Sequence, residues 1–137
     1  MVDTRFSVSI YIMVSLAYRK NELTNSTELA KVLRTNPTFV RKIVSRLVEA
    51  KLVESHRGKG GGVKIARDPR QISLKDIYVA SMDDKCLFSS PDKSAYKACK
   101  VSCSMATIFG SVFKGIETSI QDHLEKTSVG DLVKKIS

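Results

Sequence analysis

Proline, cysteine and negative charge are what this sequence is short of. With 3 prolines in 137 residues, no internal repeat and no low-complexity run, extended disorder is excluded and a folded chain is expected. Three cysteines are an odd number and lack the spacing of a secreted disulfide framework. A reducing cytoplasm is therefore the expected compartment, and the thiols enter as reactive groups or ligands. Residues 8–17 form a mostly apolar run too short to span a bilayer. The run also has no basic stretch before it and no small-residue cleavage site, so neither a membrane span nor a secretory signal is expected.

The shortage of acid is uneven. Overall 23 Lys and Arg stand against 14 Asp and Glu, a net charge of +9. Residues 1–70 hold 14 basic and 6 acidic side chains, a net of +8, and residues 71–137 hold 9 and 8, a net of +1. A polyanion is the expected partner of the first half, since Lys and Arg displace counterions condensed on phosphates. The length suits one compact domain with an appendage.

What is present is apolar periodicity punctuated by helix caps. Phe6, Ile10, Met13, Val14 and Ala17 recur at helical spacing, predicting a first helix over residues 4–18. Asn25 with Glu28 has the form of a capping box opening a second helix over 26–34. Asn36 then suits an N-cap and Pro37 the first position of a third helix, running to about Ala50. On it Val40, Ile43, Val44, Leu47 and Val48 form one apolar face, opposite Thr38, Arg41, Lys42, Ser45, Arg46 and Glu49. Two strand-like runs, 52–56 and 63–66, flank Arg57-Gly58-Lys59-Gly60-Gly61-Gly62, whose glycines permit a tight basic hairpin. Ser73 with Asp76 caps a fourth helix through Ala80. A long helix is expected over residues 99–126 and a short one follows, capped by Ser128 with Asp131.

Two short helices with a tight turn, the second basic outside, followed by a basic two-stranded wing, give the order of a winged helix-turn-helix. The expected fold is mostly helical, with a small β-hairpin wing and a long C-terminal dimerisation helix. Residues 1–82 form the DNA-binding part, 83–98 a flexible sensing segment and 99–137 the dimerisation helices. Arg41 or Lys42 can reach guanine acceptors, while Thr38 and Ser45 reach phosphates or thymine edges and Arg46 shares their face. Arg57 and Lys59 on the wing can reach the minor groove or its backbone. The glycine run lacks the Walker spacing of a nucleotide-binding loop, and no cysteine finds a histidine with a third orienting group, so no enzyme activity is expected.

From Thr35-Asn36-Pro37-Thr38-Phe39-Val40-Arg41-Lys42 through Leu47-Val48-Glu49-Ala50-Lys51-Leu52-Val53, the sequence resembles the Rrf-two family of bacterial winged-helix regulators. The resemblance continues over Arg57-Gly58-Lys59-Gly60-Gly61-Gly62-Val63 and Ala66-Arg67-Asp68-Pro69-Arg70-Gln71-Ile72-Ser73-Leu74-Lys75-Asp76-Ile77. It implies a homodimer joined by the long C-terminal helices, with two recognition helices reading a palindromic operator in double-stranded DNA, most simply as a repressor. The apolar stripe of Ile108, Phe109, Val112, Phe113, Ile116 and Ile120 supplies the expected dimer interface.

Family members that hold an iron–sulfur cluster resemble three cysteines about five or six residues apart plus one further ligand. Here Cys86, Cys99 and Cys103 are separated by twelve residues and three, Val8 stands where the nitric oxide sensor has aspartate, and Ala106 where the cluster regulator has histidine. No cofactor is expected on that pattern, a cluster-binding regulator remains an alternative, and zinc on three thiolates is left open. The thiols are read with equal weight as redox sensors or as inert residues, Cys103 packing in the core and Cys99 at the surface. Cys99 at the helix start, between Lys97 and Lys100, is the expected reactive thiol, and Cys103 the more buried one. A different class of reading is a basic winged-helix module that binds RNA or protein and senses nothing.

Overall fold

The computed structural model describes residues 3–82, 88 and 96–136. In chain order these form α1 (Arg5–Tyr18), α2 (Ser26–Leu33), α3 (Pro37–Glu49), β1 (Val53–His56) and β2 (Gly62–Ile65). A 3-10 turn (Pro69–Gln71), α4 (Leu74–Met82), α5 (Lys100–Leu124) and α6 (Val129–Val133) follow.

Asparagines set the helix-turn-helix. Asn25 Oδ1 accepts from the Glu28 backbone N–H at 2.8 Å, and Asn36 Oδ1 accepts from that of Thr38 at 2.7 Å. Each such cap is worth about 1 kcal/mol. Glu28 departs from the expected capping box: its carboxylate meets the Asn25 side-chain amide at 3.2 Å and Arg19 at 3.4 Å.

The wing pairs β1 with β2 antiparallel in the register Val53 to Ile65 and His56 to Gly62. Gly58 and Gly60 take φ of 100° and 78°, the left-handed turn conformation that a side chain would strain. A further pairing joins Thr24 to Val63, with both N–H···O distances at 2.9 Å. It fastens the wing to the chain just before α2. Gly62 is required there, because a Cβ would come within 2.8 Å of the Thr24 backbone.

The core gathers Ile12, Met13 and Leu16 of α1 with Leu29, Val40, Ile43, Leu47, Leu52, Ile72, Ile77 and Val129, all fully buried. The stripe expected on α1 is displaced in part. Met13 and Ala17 of that stripe are buried, but they are joined by Ile12 and Leu16, while Phe6, Ile10 and Val14 are half-buried. The physical reason is that α1 is packed by α3, α4, α6 and β2, so it buries more than one stripe.

The ending of the chain also differs from the sequence-based division. α6, grouped by sequence with the dimerisation helices, packs on α1 and the 3-10 turn. Val129 is fully buried, its N–H donates to the Ile72 carbonyl at 2.8 Å, and the Leu74 N–H donates to Thr127 at 2.9 Å. α6 thus completes the first-half core, which burying Val129 requires. α5 is the opposite case: none of its 25 residues is buried, although its sequence includes Ile108, Phe109, Val112, Phe113, Ile116, Ile120 and Leu124.

Candidate nucleic-acid interface

Helix α3 turns Val40, Ile43, Val44 and Leu47 inward, and the helical period then forces Thr38, Arg41, Lys42 and Ser45 outward. All four are exposed. Arg41 Nη2 donates to the Thr38 hydroxyl at 3.3 Å, and Ser45 Oγ donates to the Arg41 carbonyl at 3.0 Å, so the outward groups lie along one face. Arg57 and Lys59 at the wing tip are exposed as well.

Between helix and wing lies a cleft of about 380 Å³, lined among others by Asn25, Ser26, Arg41, Ser45, Ser55 and His56. The sequence reading missed Ser26, Ser55 and His56 as lining groups, because nothing local signals that α2, α3 and β1 converge. His56 Nε2 lies 3.3 Å from Glu54, which also meets Lys64 at 3.9 Å. The Lys64 ammonium thereby offsets a carboxylate on the wing strand.

Arg46 is placed differently from its expected role. It is half-buried, and its Nη1 donates to the Ser81 carbonyl at 3.1 Å, which ties α3 to the C-terminal turn of α4. Its position on α3 leans toward the protein, and its long guanidinium arm reaches a carbonyl in the last turn of α4, where helix carbonyls have no partner within the helix.

Of the cysteines, Cys86 lies outside the described residues. Cys99 is the N-cap of α5 and half-buried, whereas Cys103, expected to be the deeper thiol, is exposed. The cause is that α5 buries no residue in this chain, so a position one turn into it gains no cover. Cys103 Sγ lies 3.8 Å from the carbonyls of Tyr96 and Lys97. Among the described residues no three His, Cys, Asp or Glu side chains come together as a metal site.

The expected dimer residues divide in two. Ile108 and Val112 are exposed, at 47% and 50%. Phe109, Phe113, Ile116 and Ile120 are half-buried, with Phe113 stacked on Phe109 at 5.1 Å between ring centroids and near Phe88 at 5.7 Å.

A basic recognition helix beside a basic glycine-tipped wing, on a core of this topology, defines a winged helix-turn-helix transcriptional regulator. The profile of the Rrf2 family, described as an iron-dependent transcriptional regulator, matches residues 2–135, and the chain belongs to that family. It is 26% identical over 136 residues to YwnA of Bacillus subtilis (strain 168), named as a candidate HTH-type transcriptional regulator, spanning 99% of each chain. Identity to the HTH-type transcriptional regulator IscR of Cereibacter sphaeroides is also 26%, over 95% of this chain and 83% of that one. Its fold is similar to that of CymR, the global cysteine regulator of B. subtilis. There the TM-score is 0.71 at 21% identity, covering 100% of this chain and 98% of the other. Among the described residues no helix is long and apolar enough to cross a membrane.

Proposed function

We propose that this family member acts as a homodimeric repressor that reads a palindromic operator through α3 and the wing, and that oxidation of its thiols releases it. One observation carries the reading: Thr38, Arg41, Lys42 and Ser45 are all exposed on α3, next to a cleft whose other wall is the wing. A helix of that kind fits the major groove while a hairpin follows the adjacent backbone.

Support for a dimer comes from α5, a 25-residue helix that leaves Val101, Ile108 and Val112 exposed. Exposed apolar stripes of this kind mark interaction surfaces. Support for thiol sensing comes from the place where Cys99 and Cys103 stand, the entry to that same helix. One peroxide and two thiols would give a disulfide and two waters, moving the end of α5.

The operator can be recovered by selecting bound duplexes from random-sequence DNA and then measured by gel shift at physiological salt. Binding at least ~10³ tighter than to unrelated duplex is expected. Equal binding to unrelated DNA or to RNA would replace the reading with a general basic module. For the thiols, Cys99→Ser and Cys103→Ser are treated with mild peroxide beside the parent protein. Operator affinity should fall on oxidation in the parent and hold in the Cys99 variant. A parallel fall in that variant removes Cys99 from the sensing role.

A further inference from the structure

Two polar contacts join α5 to α4. At the C-terminal end of α5 Glu125 meets Lys75 of α4 at 3.6 Å, a solvent-exposed ion pair. That end is also fixed by the chain itself, which passes at once through Thr127 into the buried start of α6. Eight residues earlier, about 12 Å along the helix, Glu117 receives the Tyr78 hydroxyl of α4 on both carboxylate oxygens, at 3.0 and 3.1 Å. With one end anchored, this second point sets the direction in which α5 leaves the domain.

Tyr78 is suited to hold it. Its side chain is 6% exposed, and its ring stands edge-on to Phe6 of α1, 5.3 Å between centroids and 87° between planes. The phenol is therefore held by packing, and a hydroxyl donating to a carboxylate is among the stronger and more directional hydrogen bonds. The same turn of α4 is joined to the recognition helix. Ser81, fully buried, donates from Oγ to the Tyr78 carbonyl at 3.1 Å, and its own carbonyl accepts from Arg46 at 3.1 Å. Arg46 follows Ser45 directly and lies one turn beyond Arg41 and Lys42 on α3.

We propose that Tyr78 and Glu117 are positioning residues for operator recognition: their hydrogen bond fixes α5 against α4, and through the Ser81–Arg46 contact it fixes the orientation of α3 relative to the dimer axis. The inference rests on the dimeric reading above. If two chains pair through α5, the tilt of α5 on its own domain determines how far apart the two α3 helices stand. Contacts within one half-site would be unaffected.

Tyr78→Phe tests this by deleting only the hydroxyl and keeping the ring on Phe6, while Glu117→Gln keeps an acceptor without the charge. Each is compared with the parent on the selected operator, on the same operator with one base pair added or removed at its centre, and on a single half-site. Melting curves establish that each variant is folded. The parent should prefer the native spacing at least tenfold. Tyr78→Phe should narrow that preference to threefold or less with half-site affinity within twofold of the parent, and Glu117→Gln should fall between. Retention of the full preference by Tyr78→Phe overturns the inference. So does an equal loss on the half-site, which would make the hydroxyl a folding contact. A parent protein indifferent to spacing overturns the dimeric reading itself.

Discussion

At the level of single residues, the outward face of α3 separates into side chains free to meet DNA and one already engaged in the fold. Arg41 and Lys42 are exposed with their neighbours Val40, Ile43 and Val44 buried. Changing either to Ala should cost about 1–3 kcal/mol of operator affinity where it makes a base contact, with the melting midpoint unchanged. Arg46→Ala should do the reverse in the first instance. It leaves the Ser81 carbonyl without that donor, and loss of a partner by a buried polar group costs about 1–3 kcal/mol of stability. If titration with denaturant shows no loss for Arg46→Ala, the contact is incidental. On the wing, Arg57 and Lys59 are exposed beside a glycine turn. Their double Ala variant should bind all duplexes more weakly, and the slope of log affinity against log salt should flatten by about one unit for each phosphate that is no longer neutralised. An unchanged slope would make the wing a structural hairpin. The exposed four of α3 and the two wing cations were legible in sequence because exposure there follows from helical period and a glycine turn. Arg46 was not, since its partner lies 35 positions away and no local pattern encodes that reach.

Among elements, starts were easier to read than stops. Asn25, Asn36, Ser73 and Ser128 each accept the backbone N–H their position implies, so the starts of α2, α3, α4 and α6 were recovered from the cap residue alone. The stops lack their usual glycine. α3 ends in a Schellman arrangement, with the Leu52 N–H on the Leu47 carbonyl at 3.0 Å and the Lys51 N–H on Val48 at 2.9 Å. The left-handed position is filled by Lys51 at φ 62°, and α2 likewise closes on Arg34 at φ 54°. A lysine there costs about 1–2 kcal/mol of conformational strain, against about 0.5–1 kcal/mol of extra chain entropy for glycine. Lys51→Gly should therefore stabilise the fold by about 0.5–1 kcal/mol, read as a higher denaturation midpoint at unchanged slope. A lower midpoint would show that the Lys51 side chain contributes more than its strain costs. The Thr24 to Val63 pairing, which docks the wing, was illegible for a related reason: a one-residue bridge has no period to detect. The place of α6 was hidden too, because a five-residue helix carries the same amphipathic signal whether it covers its own core or a partner.

For the whole molecule, the unanswered demand is the apolar arc of α5. At about 100° per residue, Val101, Ile108 and Val112 lie on one side of the helix, and Phe109, Phe113, Ile120 and Leu124 follow round toward the side that bears Glu117. The second group is half-buried in the single chain, and the first remains in water at 66%, 47% and 50% exposure. This division decides which substitution can test dimerisation cleanly. Phe113→Glu would break the stacking with Phe109 and the contact with Phe88 inside one chain, so a loss of dimer could not be told from a loss of fold. Ile108→Glu and Val112→Glu instead change side chains that are about half exposed in the single chain. Full burial of such a side chain is worth about 1.5–3 kcal/mol, and a twofold axis places each change in the interface twice. The double variant should melt as the parent does at low concentration, run as a monomer in light scattering, and keep half-site binding while losing tight binding to the full operator. That last loss is expected because the second half-site then has to be captured by an independent molecule instead of a tethered one. A double variant that remains dimeric would place the interface elsewhere, and a monomer with full operator affinity would remove dimerisation from the mechanism.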